Sequence, residues 1–239
     1  GHLFPPPDIT SIRLMKTAFR LNFIALILVL ANTCFAVDIA TKVGFESAYV
    51  SYGTKFAEET WIPMLDISQG DYYAGIWGYL PTQKKKSFEG EWDFFAGRTL
   101  KVNKLLSFDL GATVYRYPRT DVDNTTVEGF LWVNFDTTLS PKLKLFYDAT
   151  VKNWIGEAMV AHTFALNKTT AFLLEGRGGF RRPESHQEWY YASAKADVVF
   201  TLSPKAKLSI GLRSTNNTDK AAVGHGLVNW FGMNLGYSW

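Results

Sequence analysis

WFGMNLGYSW, residues 230–239, alternates without a break. Phe231, Met233, Leu235, Tyr237 and Trp239 share one parity, while Gly232, Asn234, Gly236 and Ser238 share the other. Successive side chains of a strand point to opposite faces, so this run has one continuous apolar face and one small, polar face. A strand of a soluble sandwich alternates in the same way. The last residues of a soluble domain, however, are normally polar and frayed, and here the last residue is an aromatic. The expectation is a terminal strand that closes a sheet, with Phe231, Tyr237 and Trp239 anchoring its outward face.

The other end of the sequence bears on compartment. From Met15 the chain runs MKTAFRLNFIALILVLANTCFA. Lys16 and Arg20 supply a positive start, residues 23–31 are uninterruptedly apolar, and small residues lead to Ala36, which is the pattern of a secretory signal peptide over 15–36. The apolar run is shorter than the ~20 residues a helix needs to cross a bilayer. Residues 1–14 precede a start-like methionine and are read as an extraneous extension. Cys34 is the sole cysteine, and the residues before it make a poor lipoprotein box. Residues 37–239 then hold no cysteine, which suits export without a disulfide framework. They carry 22 Lys+Arg against 21 Asp+Glu, a balance with no nucleic-acid signature.

No stretch after Val37 approaches 18 apolar residues, so membrane residence would require a closed barrel, in which every backbone group is paired. Twelve alternating runs have about the 9–11 residues that a tilted transmembrane strand needs. They cover 42–52, 60–69, 72–80, 90–100, 107–117, 127–139, 142–152, 158–166, 170–180, 190–202, 207–215 and 228–239. The connections sort by parity. Short ones (GD at 70–71, VNKLL at 102–106, SPK at 140–142, NKT at 167–169, SPK at 203–205) alternate with longer polar ones (53–59, 81–89, 118–126, 153–157, 181–189, 216–226). Transmembrane barrels have such short periplasmic turns and long outer loops. The expected fold is therefore all-β: a closed antiparallel transmembrane barrel of about 12 strands over 37–239, in a bacterial outer membrane.

Strand parity also assigns faces. Leu143, Leu145 and Tyr147 face out where Lys144, Phe146, Asp148 and Lys152 face in. Likewise Ala196, Val198 and Phe200 oppose Lys195 and Asp197, and Leu208, Ile210 and Leu212 oppose Arg213. Arg or Lys at the midplane of the lipid face costs about 2–4 kcal/mol, which drives the charges inward. The charges expected to line the lumen are Glu91, Asp93, Asp109, Asp136, Lys144, Asp148, Lys195, Asp197 and Arg213, together with Glu46, Asp66, Glu175 and Arg177. Acids dominate the earlier strands and bases the later ones, an arrangement that would set a field across the bore. The parity of the third run, which holds Trp77, is ambiguous. Aromatics make up 15% of the chain. Trp61, Tyr72, Tyr73, Tyr115, Tyr117, Trp189, Tyr190, Trp230, Tyr237 and Trp239 lie near strand ends, where interfacial girdles form.

The stretch FESAYVSYGTKF…MLDISQGDYYAGIWGYLP, with Asp71-Tyr72-Tyr73-Ala74-Gly75-Ile76-Trp77-Gly78 at its centre, is followed by GEWDFFAGRTLKVNKLLSFDLGATVYRYP. Over Phe45 to Pro118 it resembles the TorF-like porins, small bacterial outer-membrane proteins. Tyr52 stands where that family has an arginine. The resemblance implies a barrel and a channel, and it supplies no catalytic residue.

Enzymatic chemistry has little support. A triad-type lipid hydrolase needs a histidine within reach of a nucleophile. His162, in VAHTFAL, has no serine at same-face spacing and reads as a lumen-facing polar residue, while His186 and His225 fall in outer loops. Asp121, Asp123 and Glu128 lack the glycine and terminal glutamate of a calcium loop. No catalytic, cofactor or metal site is therefore expected. The expected function is passive diffusion of small hydrophilic solutes through a narrow porin-like lumen. The expected partners are outer-membrane lipids, lipopolysaccharide contacted by Lys84–Lys86, and the barrel-assembly machinery that reads the C-terminal strand. A plugged structural or adhesion barrel and an outer-membrane lipid hydrolase are the competing readings.

Overall fold

The computed structural model describes residues 37–83, 89–118, 125–184, 187–218 and 226–239. The extension at 1–14, the signal segment at 15–36, Lys84–Lys86, Asp121–Asp123, His186 and His225 lie outside the described residues. Among those described, the chain forms fourteen strands: β1 (Asp38–Glu46), β2 (Tyr49–Ser51), β3 (Thr54–Ala57), β4 (Thr60–Gln69), β5 (Tyr72–Pro81), β6 (Glu91–Lys101), β7 (Leu106–Arg116), β8 (Thr125–Phe135), β9 (Lys142–Asp148), β10 (Asn153–Ala165), β11 (Thr170–Pro183), β12 (Trp189–Ser203), β13 (Ala206–Asn217) and β14 (Leu227–Ser238). All but β2 and β3 close into one antiparallel barrel of twelve strands.

Residues 230–238 lie within β14, with Trp239 just beyond it, and the strand completes the closure. One edge of β14 pairs with β13, Leu212 opposite Phe231, and the other with β1, Val43 opposite Leu235. The Trp239 amide donates to the Ile39 carbonyl at 2.9 Å. Trp239 is exposed and packs edge-on against Tyr237, with ring centroids 4.9 Å apart.

Burial is inverted relative to a water-soluble protein. Leu65, Leu110, Leu131, Leu143, Leu145 and Leu212 are exposed on the outside, whereas Asp197 and Thr60 are 0% exposed within. This is the arrangement of a membrane barrel, apolar outside and polar inside. The parity of β5 is resolved: Tyr73, Trp77 and Tyr79 line the interior, and Tyr72 is exposed. Pro63 interrupts the β4–β5 ladder, which passes from Trp61–Leu80 to Met64–Trp77, because proline has no amide hydrogen to donate.

The strand limits and one outward face depart from the sequence-based reading. The first run, 42–52, is two elements, since the wall strand stops at Glu46 and Tyr49–Ser51 turns away to pair with β3. The residues expected as the fourth long loop, 153–157, are instead the start of β10, and the turn is 149–152. Lys152 sits in that turn at φ 49° and pairs outward with Glu184 at 3.0 Å. Strand β8 ends at Phe135, so Asp136 lies beyond it, exposed, with its amide bonded to the Leu105 carbonyl at 2.9 Å. Finally, His162 shares the outward face of β10 with Val160 and Phe164, both exposed. Its Nδ1 lies 2.7 Å from the Thr138 carbonyl and its ring 4.4 Å from that of Phe164.

Candidate functional site: an inward hairpin over a charged lumen

Residues 47–59 join β1 to β4. Ser51 and Thr54 pair across a two-residue turn, Tyr52-Gly53, with φ of 49° and 78°. Positive φ at both central positions defines the type I′ hairpin turn. Glycine accepts this freely, whereas a tyrosine there costs roughly 1–2 kcal/mol. Tertiary packing offsets that cost. The Tyr52 ring packs on the cluster of Phe130, Phe146 and Ile155, from β8, β9 and β10, and its centroid is 6.4 Å from that of Tyr191 on β12. Two wall side chains hold the turn's backbone: Trp189 Nε1 donates to the Tyr52 carbonyl at 3.3 Å, and Asn217 Nδ2 to the Gly53 carbonyl at 2.8 Å. A Cβ on Gly53 would lie 2.5 Å from that of Tyr191.

The base of the hairpin leans on the other side of the barrel. Tyr49 stacks on Tyr79 of β5 at 4.2 Å, and its hydroxyl donates to Glu91 of β6 at 3.5 Å. Ala57 and Tyr49 form a buried cluster with Phe56, Tyr79 and Tyr117. The hairpin therefore reaches from the β5–β6 wall to the wall of β8–β13 and crosses the bore. Burial pushes the hydroxyls of Tyr49 and Tyr52 well above the usual phenol range, so both rings stay neutral.

Beside the hairpin lies a cavity of about 710 Å³, lined by Ala48–Gly53 and by charged wall residues that include Lys42, Glu46, Asp66, Asp93, Glu128 and Lys144. Apart from Lys42 and Asp66, the charges in and behind its wall fall into two groups. On β9–β13 and at Glu46 of β1 they are paired, some along one strand and some between strands. Lys144 meets Glu157 at 3.4 Å, Arg177 meets Glu157 at 3.6 Å and also Glu175, and Lys195 meets Asp197 at 3.2 Å. Arg213 grips Asp197 at 2.7 Å and Glu46 at 3.2 Å. Lys144, Arg177, Lys195 and Arg213 are thus balanced by Glu157, Glu175, Asp197 and Glu46. The second group is acidic. Glu91, Asp93, Glu128 and Asp148 are all buried on β6, β8 and β9, and Tyr115 donates to Glu128 at 2.7 Å.

The expected lumen charges thus have distinct positions. Glu91 and Asp93 lie together inside on β6, Lys195, Asp197 and Arg213 form a second inner group, and Lys144 pairs with Glu157. Asp109 sits apart, held by Thr99 and by Asn134 Nδ2 at 2.9 Å. Asp148 points inward but accepts the amides of Thr150 and Val151 at 2.8 and 3.1 Å, so it shapes the β9–β10 turn. Sequence reasoning missed Glu157, which it assigned to a loop, and Lys42. The alternation of Glu157 with outward Trp154 and Ala158 was the available signal.

Half of the expected aromatic girdle turns inward. Trp61, Tyr72, Tyr190, Tyr237 and Trp239 are exposed on the barrel. Tyr73, Tyr115, Trp189 and Trp230 line or face the lumen instead, and Tyr117 packs against the hairpin. Several inner rings carry the chain's own cations: Lys144 Nζ is 4.8 Å from the Trp132 centroid and Lys42 Nζ is 5.9 Å from that of Trp77.

A closed twelve-strand wall, apolar outside and charged within, defines a transmembrane β-barrel of the outer-membrane type. Solved structures of this architecture are similar in fold. The NanC porin superposes with a TM-score of 0.53 at 10% identity, covering 84% of this chain and 99% of that one. The KdgM porin gives 0.56 at 9% identity, covering 84% and 99%. An outer-membrane channel from Pseudomonas putida F1 gives 0.57 at 8% identity, covering 87% and 96%. No family model matches the sequence, and no curated protein matches it either.

Proposed function

We propose that the protein is an outer-membrane channel for passive diffusion of small hydrophilic solutes, with the 47–59 hairpin as its constriction. The observation that carries this reading is the cavity of about 710 Å³ lined by ionisable side chains beside the hairpin. A solute passing the hairpin needs such a space, lined by polar and charged side chains. The resemblance of Phe45–Pro118 to TorF-like porins and the porin folds of the neighbours support the same reading, as does the secretory pattern at 15–36, which implies export. Lipopolysaccharide and the assembly machinery are the proposed partners of the outer loops and of β14.

The neighbour KdgM has been solved with oligogalacturonate, an acidic saccharide. Here Lys144, Arg177, Lys195 and Arg213 already have carboxylate partners. An acidic saccharide would have to break buried pairs to bind them, which favours small solutes. Purified protein in a planar bilayer is the test. Stepwise conductance supports the channel. Silence from a barrel that still shows heat-modifiable gel mobility would establish the plugged alternative.

A further inference from the structure

Lys42 on β1 and Asp66 on β4 line the cavity and belong to neither of its two charge groups. In the β1–β4 ladder Lys42 pairs with Met64, and Asp66 with Ala40, so the two are diagonal neighbours on the inner face. Diagonal positions of an antiparallel pair are about 7–8 Å apart. Among the described residues, no carboxylate oxygen lies within 4.0 Å of Lys42 Nζ. Asp66 and Glu46 act on it only at longer range, and Glu46 pairs with Arg213 instead, at 3.2 Å. The closest company of Lys42 is the Trp77 ring, with Nζ 5.9 Å from its centroid. The indole N–H of Trp77 is in turn the polar neighbour of Asp66. Trp77 thus engages each charge separately, and the two do not close on one another.

This sets Lys42 apart from Lys144, Arg177, Lys195 and Arg213, each of which holds a carboxylate. Its ammonium group lines the cavity with no acceptor supplied by a described residue. The surroundings define what kind of solute it can take. Lys195 adds a second positive charge nearby, and Asp66 and Glu46 add two negative ones. A lone anion at Lys42 is therefore attracted by two lysines and repelled by two carboxylates. A lone cation at Asp66 meets the converse. In low-dielectric surroundings both kinds of contribution are strong, so neither simple ion gains much. A short molecule that carries both signs meets an opposite charge at each end.

We propose that Lys42 and Asp66 form a subsite for a small zwitterion, with a carboxylate and an ammonium group on one short chain as in an α-amino acid. This deepens the channel reading, by naming the solute class, and rests on it. Lys42 takes the carboxylate, Asp66 takes the ammonium group, and the Trp77 ring lies beside both. A weak site on the path raises the local concentration of the solute it holds, and with it that solute's flux.

The test compares glycine with its uncharged isomer glycolamide on the full barrel. In proteoliposome swelling, glycine is expected to enter at least threefold faster than glycolamide. Lys42→Met and Asp66→Asn are each expected to bring that ratio close to one. Folding of both variants is checked by heat-modifiable gel mobility. In parallel, glycine titrated into the detergent-solubilised barrel is expected to change tryptophan fluorescence, and either variant is expected to abolish the change. Acetate and methylammonium, which carry one charge each, are expected to have little effect. Equal entry of glycine and glycolamide overturns the subsite and leaves the channel standing. A ratio that survives either substitution, or acetate or methylammonium acting as strongly as glycine, overturns it too. Glycine binding that needs both residues, in a barrel that admits neither solute, upholds the subsite and overturns the channel.

Discussion

The side-chain amide of Asn217, at the end of β13, donates a 2.8 Å hydrogen bond to the carbonyl of Gly53 at the hairpin tip. The two residues are 164 positions apart, and their contact converts a surface connection into a crossbar of the lumen. Asn217→Ala would leave a buried carbonyl unpaired, at a cost of about 1–3 kcal/mol. That loss loosens the hairpin without touching the wall, so single-channel conductance should rise or become noisier. Unchanged conductance and noise would mean that the bond does not hold the constriction.

Gly53→Val attacks the same contact sterically. At φ 78°, with its Cβ site 2.5 Å from that of Tyr191, a branched side chain cannot be seated. The hairpin should leave the wall, and residues 47–59 should become sensitive to added protease while the barrel still resists it. Continued resistance of the hairpin would contradict this.

Arg213 is 6% exposed and bridges Asp197 on β12 to Glu46 on β1. Replacing it with methionine strands Glu46 and leaves Asp197 with Lys195 alone, and breaking a buried pair in this way costs about 3–5 kcal/mol. The temperature at which the barrel loses its heat-modifiable mobility should fall clearly. Arg213→Met with Glu46→Gln should recover part of the loss, because the orphaned charge is removed. No recovery would argue against the pairing.

Ion preference separates the wall charges by position. Lys195→Met should shift the reversal potential in a salt gradient toward cation preference, since Lys195 lines the cavity and its loss removes a positive charge beside Asp197 in low-dielectric surroundings. Asp136→Asn should leave the potential unchanged, because the residue sits exposed in the β8–β9 turn. An equal shift from both would show that turn charges matter as much as those at the constriction.

On the outside, Leu212 is 67% exposed at mid-strand. Leu212→Arg should impair folding into vesicles by about 2–4 kcal/mol, whereas Leu212→Phe should be tolerated. Deleting Trp239, or changing Phe231 or Tyr237 to Asp, should slow assembly by damaging the outward face of β14. Normal insertion of all of these variants would refute the orientation of β14.

Much of the barrel was legible locally. The two-residue period is a property of each strand by itself, so the alternation in 230–239, 142–148 and 207–215 yielded strand existence, parity and the inward turn of Lys144, Lys195 and Arg213. The sorted turns and loops then implied closure, and β14 pairing with β1 completes it. Only the tertiary structure could decide what happens inside. Tyr49–Ser51 carries the same alternation as β1, and its departure into the lumen depends on Asn217, Trp189 and Phe146, far along the chain. Trp189 and Tyr190 both lie at a strand end, where an aromatic for the interface and one for the lumen look alike. Which charges are balanced was also invisible, because Arg213, Asp197 and Glu46 meet only when the last strands close against the first. Periodicity is set by each residue's own backbone and nearest neighbours. The constriction and its charge pairs are set by side chains that approach one another only across a closed wall.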